Sequence, residues 1–225
     1  MITVPLGPEV DSWPRPLPIR EKITGTRVVL EPLHRRHGAE LFEAAKDAPE
    51  SFAYLSSYGP FSTRPALDSF ISRHCATPEA AFWAIRPIAT GRASGWLSLS
   101  NIEPQNAAIE LGSIWFGPAL QRTRAATEAM FLLLRHAADD LGYRRLVWQC
   151  NALNAPSRRA AERLGFTYEG TLRAHRVAKG RSRDTAFFSI TAEEWPSRRD
   201  AILAWLAPEN FDAAGNAIRP LASFR

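Results

Sequence analysis

The chain has 225 residues, 45% hydrophobic and 23% charged, and a net charge of +5, which suits one large domain with a sizeable core and excludes a disordered or fibrous chain. Cys75 and Cys150 lie far apart and in no metal-ligand spacing, which excludes a disulfide framework and a structural zinc site. No apolar run approaches the ~20 residues of a membrane helix, and no basic segment followed by an apolar core opens the chain, so the expected compartment is the cytoplasm.

Residues 1–24 carry Pro5, Pro8, Pro14, Pro16 and Pro18 and are expected to form an extended arm, packed on the domain or disordered. The domain itself, residues 25–206, opens with a short strand at 27–31 closed by Pro32. A helix is expected at 35–46, where Leu41 and Ala45 share a face, and a second at 64–74, where Leu67 and Ile71 do. Between them the aromatic stretch 51–61, with Phe52, Tyr54, Leu55 and Tyr58, suits a loop on the substrate side. The period then changes to strands at 80–86, 91–100 and 107–116, with Pro87 and Gly91 as turn residues. A helix at 125–141 follows, with Met130, Leu134, Ala137 and Leu141 in one stripe and Gly142 as its stop. Next come a strand at 144–150 and a helix opened by Asn154-Ala155-Pro156-Ser157 and ended at Leu164-Gly165-Phe166. Strands at 166–177 and 185–191 flank a hairpin loop at 179–182, and a last helix spans 193–206. The tail, 207–225, is expected to be loosely attached. This order predicts an α+β domain with a mixed, mostly antiparallel twisted sheet and helices on both faces.

The most informative stretch is the strand at 109–116 feeding the basic loop Gln121-Arg122-Thr123-Arg124 at a helix start. Free first-turn amides and the helix dipole make such a place an anion site, so a phosphate-bearing ligand is predicted. Thr123 or Thr127 can supply a hydroxyl, Ala125 and Ala126 allow close approach, and Arg122 and Arg124 can meet phosphate in fork geometry. The plainer alternative is a solvated basic loop before an ordinary helix.

The run from Gln121 to Ala129, together with Asn154-Ala155-Pro156-Ser157, Leu164-Gly165-Phe166 and the opening run from Gly25 to Leu33, resembles the GNAT family of acyl-CoA-dependent N-acetyltransferases, in particular its RimJ/RimL-type branch. The resemblance implies the GNAT fold and acetyl-CoA as co-substrate, with no metal. It implies that acetyl-CoA lies in a V-shaped opening between the strands at 109–116 and 144–150. Residues Gln121, Arg122, Thr123, Arg124, Ala125, Ala126 and Thr127 would hold its pyrophosphate, and Asn154 its pantetheine arm. One departure stands out: Arg124 occupies a position where the family's loop carries glycine, whose absence removes a special backbone freedom. The expectation is that Arg124 compensates by pairing with phosphate.

By the same resemblance Glu110, which interrupts an apolar strand, is the expected base, and Ser157 the expected proton donor to the leaving thiolate. Most relatives use a tyrosine further along that helix, but here the run 157–164 reads SRRAAERL. The plain readings are a solvent-facing or arginine-paired Glu110 and a capping Ser157. Trp83, Trp96, Trp115 and Trp148 are expected in the core, with Trp115 reaching the acceptor pocket; His175 is expected near the acceptor or merely at the surface. An acyl-Cys150 is disfavoured by direct transfer. Releasing a neutral lysine amine at pH 7 costs about 4–5 kcal/mol, against about 1–1.5 for an α-amine, so a low-pKa amine, a protein N-terminus or a small molecule, is the easier acceptor. Three other expectations stay open: an RNA- or ribosome-associated protein of this fold without turnover, an enzyme acetylating an antibiotic or amino-nucleotide, and a homodimer.

Overall fold

The computed structural model describes Val4 and residues 6–225. Among the described residues, β1 (Ile23–Thr24), β2 (Val28–Pro32), β3 (Ala81–Pro87), β4 (Gly95–Glu103), β5 (Ala108–Phe116), β6 (Arg145–Asn151), β7 (Thr167–Ala178) and β8 (Arg181–Thr191) form one sheet in the order β1-β2-β3-β4-β5-β6-β8-β7. In β3, Trp83 and Ile85 face one core and Phe82 and Ala84 the other. A strand apolar on both sides belongs in the middle of a covered sheet, and that is where it lies. Helices α1 (Gly38–Ala45) and α2 (Arg64–His74) cover one face through Leu41, Leu67 and Ile71, against Phe52 and Trp96. Helices α3 (Arg124–Arg135), α4 (Ala155–Leu164) and α5 (Trp195–Leu206) cover the other through Leu133, Leu134, Leu164 and Ile202.

Every pairing is antiparallel except β5 with β6. Those two run parallel and stay paired only from Ala108↔Arg145 to Glu110↔Val147. Beyond that point they separate, and the gap sits between the starts of α3 and α4.

Two bulges interrupt the β4–β5 ladder. Between Ser98↔Gly112 and Trp96↔Trp115 the extra residue is on β5, and between Ser100↔Glu110 and Glu103↔Ala108 it is on β4. Ser113 (φ 50°) and Asn101 (φ 42°) adopt the left-handed conformation there, an arrangement that costs on the order of 1–3 kcal/mol per residue and re-aims the neighbouring side chains.

The expected helix at 125–141 stays α-helical to Arg135 and then widens into a π-turn, His136–Asp140, closed by Leu141 N–H to the His136 carbonyl at 3.0 Å. The expected loop at 179–182 is tighter than its sequence suggests. Lys179 (φ 51°) and Gly180 (φ 73°) alone make the turn, the positive-φ pair of a two-residue hairpin. From Arg15 onward the N-terminal arm packs on the domain: Tyr143 Oη donates to the Pro16 carbonyl (3.1 Å), Trp83 Nε1 to that of Glu21 (2.8 Å), and Arg20 to that of Ala80 (2.8 Å). The expectation of a loose tail is corrected. Leu221 and Asn210 are buried, Asn210 Nδ2 donates to the Trp205 carbonyl (3.0 Å), and Arg225 reaches the Glu162 carbonyl (3.0 Å). Phe211, Leu221 and Phe224 give the segment enough apolar surface to dock.

Glu128 ties α3 to the start of the sheet. Its buried carboxylate accepts from Thr26 N–H (2.9 Å), Thr26 Oγ1 (2.6 Å) and Arg27 N–H (2.7 Å). A Cβ at Gly25 would meet this carboxylate at 2.8 Å, so the strand start comes close only because residue 25 is glycine. Glu128→Ala leaves three donors without an acceptor and is expected to lower stability by about 2–4 kcal/mol in urea unfolding. A change below about 0.5 kcal/mol would mean that these donors find water at no cost.

Candidate active site

The loop before α3 is organised by Thr123. Its backbone is extended, its Oγ1 accepts from Ala126 N–H (3.1 Å) and donates to the Leu120 carbonyl (2.7 Å), which is N-cap geometry. The left-handed residue of this loop is Arg122 (φ 61°). Arg124 is the first helical residue, so no glycine-only conformation is required where the family carries glycine.

Gln121, Arg122, Thr123, Ala126 and Thr127 line a cleft of about 520 Å³ that runs between α3 and α4 into the gap between β5 and β6. Asn154, Pro156, Ser157, Arg159 and Arg163 line it from α4, and Ile114, Trp115, Met130 and Ala160 give it an apolar stretch. Arg163 is largely buried, donates to Thr127 Oγ1 (2.8 Å) and lies over the Trp205 ring; burial pushes its pKa down. Asn154 caps α4, its Oδ1 accepting from Ser157 N–H (3.2 Å).

Arg124 and Ala125 go elsewhere. Both line a separate hollow with Phe211 and Pro208 on the far side of the loop. The Arg124 guanidinium lies 4.0 Å over the Phe211 ring and donates to the Leu206 carbonyl. The expectation that it pairs with phosphate is therefore corrected: the docked tail holds that side chain away from the cleft.

A second cavity, of about 280 Å³, opens around Glu110. It shares Tyr54, Leu55, Ile114, Trp148, Asn154 and Ser157 with the first, so the two join along these residues, Ser157 among them. Glu110 is 8% exposed, and burial pushes its carboxyl above the ordinary range, opposed by an Asn101 Nδ2 hydrogen bond and by Arg176 and Arg183. Neither plain reading fits, since the carboxyl is neither solvent-facing nor ion-paired within the described residues. It lies along Gly112, where a Cβ would meet Glu110 Oε1 at 2.7 Å.

Ser157 Oγ accepts from Trp148 Nε1 at 3.1 Å, which leaves the hydroxyl proton free to be given elsewhere and favours giving it. Cys150 lines the same pocket; burial raises its thiol pKa, so it stays protonated and is a poor nucleophile. Trp115 lines the first cleft and not the acceptor-side cavity, its Nε1 donating to Ser51 Oγ (3.0 Å). His175 packs on Phe187 (5.7 Å between ring centres) and lines neither cavity. Sequence reasoning missed Asn101, and it named Tyr58 only as part of an aromatic loop. Tyr58 is half-buried, donates to the Ser113 carbonyl (3.1 Å) and lines the Glu110 cavity, and desolvation raises its pKa so that it stays protonated.

A family model described as an acetyltransferase (GNAT) domain matches residues 27–167. A GCN5-related N-acetyltransferase from Brucella melitensis superposes with a TM-score of 0.91 at 46% identity, over 94% of this chain and 97% of its own. The ribosomal-protein-serine acetyltransferase of Escherichia coli (strain K12) is 34% identical over 79 residues, which is 35% of this chain and 44%, less than half, of that protein. The microcin C7 self-immunity acetyltransferase, whose structure contains acetyl-CoA and AMP, shares the fold, with a TM-score of 0.66 at 22% identity over 74% of this chain and 93% of its own. The chain belongs to the GNAT family of N-acetyltransferases and resembles its RimJ/RimL-type branch.

Proposed function

We propose that this protein transfers an acetyl group from acetyl-CoA directly to a primary amine of low pKa, a protein N-terminal α-amine or a small amine. The observation that carries this reading is the joining of two cavities along residues that include Ser157, one fit for a phosphate-bearing thioester and one holding a buried carboxyl. The cleft's residues suit acetyl-CoA at both ends. Arg122, Arg159 and Arg163 suit its phosphates, and Ile114, Trp115, Met130 and Ala160 suit its slender arm. When bound, acetyl-CoA supplies an acyl carbon already activated by a thiol leaving group.

The chain's own residues then manage protons. Glu110 takes the proton that the amine loses as its nitrogen bonds to the acyl carbon. Ser157 gives a proton to the sulfur as the carbon–sulfur bond breaks. The products are an amide and a free thiol, and Glu110 and Ser157 recover their protonation states through solvent. A base with a raised pKa sits closer to that of an amine and is better matched to the transfer. The name of the Escherichia coli relative supports a protein acceptor, and the AMP in the microcin-immunity structure supports a small one.

Four results are expected. Glu110→Gln lowers kcat about 100-fold or more, the usual share of a general base, while acetyl-CoA affinity by calorimetry changes less than threefold; equal loss of both would make Glu110 structural. The acid limb of kcat/KM lies above the ordinary 4.5 of a glutamate, and Asn101→Ala moves it higher by removing a donor that favours the carboxylate. Stability follows the same sign. A carboxyl whose pKa is raised on folding loses stability as pH climbs from 4.5 through its folded value, so Glu110→Gln flattens that slope; an unchanged slope would contradict the raised pKa. Finally, Arg122→Ala weakens acetyl-CoA about tenfold or more, whereas Arg124→Ala lowers the melting temperature and leaves affinity intact. The opposite pattern would put the phosphates on the far side of the loop.

A further inference from the structure

The cavity that receives the amine is lined by two arginines. Arg176 and Arg183 are register partners across β7 and β8, and both line the cavity around Glu110. Among the described residues neither forms an ion pair. Arg183 is half-buried. One of its N–H groups goes to Ser56 Oγ, and its Nε is buried with no hydrogen-bond partner. Burial and the like charge of Arg176 both push the Arg183 pKa below its usual value.

This arrangement is unfavourable for a bare amine. A protonated amine is repelled by both guanidinium groups, and a half-buried cation with an unpaired donor costs free energy until an anion meets it. Glu110 does not meet that need, because its carboxyl is turned to Asn101. Arg183 is also held in place before anything binds, while Arg176 is exposed. Lys179 at the hairpin tip donates to the Phe52 carbonyl (2.8 Å), and Arg183 itself is fixed to Ser56, in the loop that walls the cavity. Preorganised planar donors of this kind match a carboxylate or a phosphate.

We propose that the acceptor carries an anionic group, a carboxylate or a phosphate, beside its amine, and that Arg176 and Arg183 bind that group while Glu110 takes the amine proton. The proposal rests on the amine-acetylation reading above. It makes the arginine pair the determinant of specificity, in a cavity of about 280 Å³ that suits a group of amino-acid size. Arginines serving only to depress the amine pKa would act on all acceptors alike; arginines that bind an anion act on anion-bearing acceptors alone.

The test uses matched acceptors that differ in one anionic group: an amino acid and its carboxamide, an amino sugar and its phosphate, and amidated peptides opening Ser-Asp or Ser-Asn. Each is measured twice with the full chain, as kcat/KM by thiol release from acetyl-CoA and as affinity by calorimetry with coenzyme A present. In at least one pair the anionic member is favoured about tenfold or more in both measurements, and the pair concerned identifies whether the anion is a free carboxylate, a phosphate or a peptide side chain. Arg183→Gln collapses that ratio and Arg183→Lys restores part of it. Equal values within every pair overturn the proposal and leave amine acetylation standing. So does an Arg183→Gln variant that merely shifts the pH profile for all acceptors. Arg183-dependent binding of the anionic member with no turnover supports the arginine site and overturns amine acetylation.

Discussion

The parting of β5 from β6 is the constraint on which the rest depends. Two parallel neighbours that stayed paired would close the sheet; here pairing stops after Glu110↔Val147. Backbone groups beyond that point have no ladder partner, and a gap in the middle of a covered sheet is polar at its edges and apolar in its walls. Because α3 and α4 both start beside the gap, Arg122 before one helix and Arg159 and Arg163 on the other line one cleft. The same gap brings Ser157 of α4 beside Trp148 of β6, so the position of that hydroxyl is tied to the sheet.

The two bulges shape the cavity around Glu110 as the parting shapes the cleft. Asn101 and Ser113 sit in left-handed backbone on adjoining strands, bracketing Glu110 and Gly112. One bulge points an amide at the carboxyl, and the other presents a carbonyl to Tyr58. A carboxyl held among buried groups with one amide donor and two arginines in reach has its charge contested from both sides. Burial works against ionisation and the donors work for it.

Much of this was legible in the sequence, for reasons that differ by element. The stripe on α3 and the double-sided burial of β3 follow from period and composition, and the helix starts at Thr123 and Asn154 follow from local capping chemistry. Glu110 was legible because a carboxylate in an apolar strand is anomalous on its own. Asn101 was not, because its value comes from cross-strand register and a bulge, which no local pattern encodes. Arg124 misled for a related reason: its spacing beside Arg122 suggested a shared target, but its direction is decided by a tail that docks more than 80 positions later, with Leu206 and Phe211 as partners.

The most direct measurement is a structure of the protein with coenzyme A. The pyrophosphate is predicted on the turn from Arg122 to Thr127 and the thiol within hydrogen-bond reach of the Ser157 hydroxyl, between the parted strands. Density for the phosphates in the hollow lined by Arg124 and Phe211, or a thiol that points away from Ser157, would contradict the assignment of both cavities.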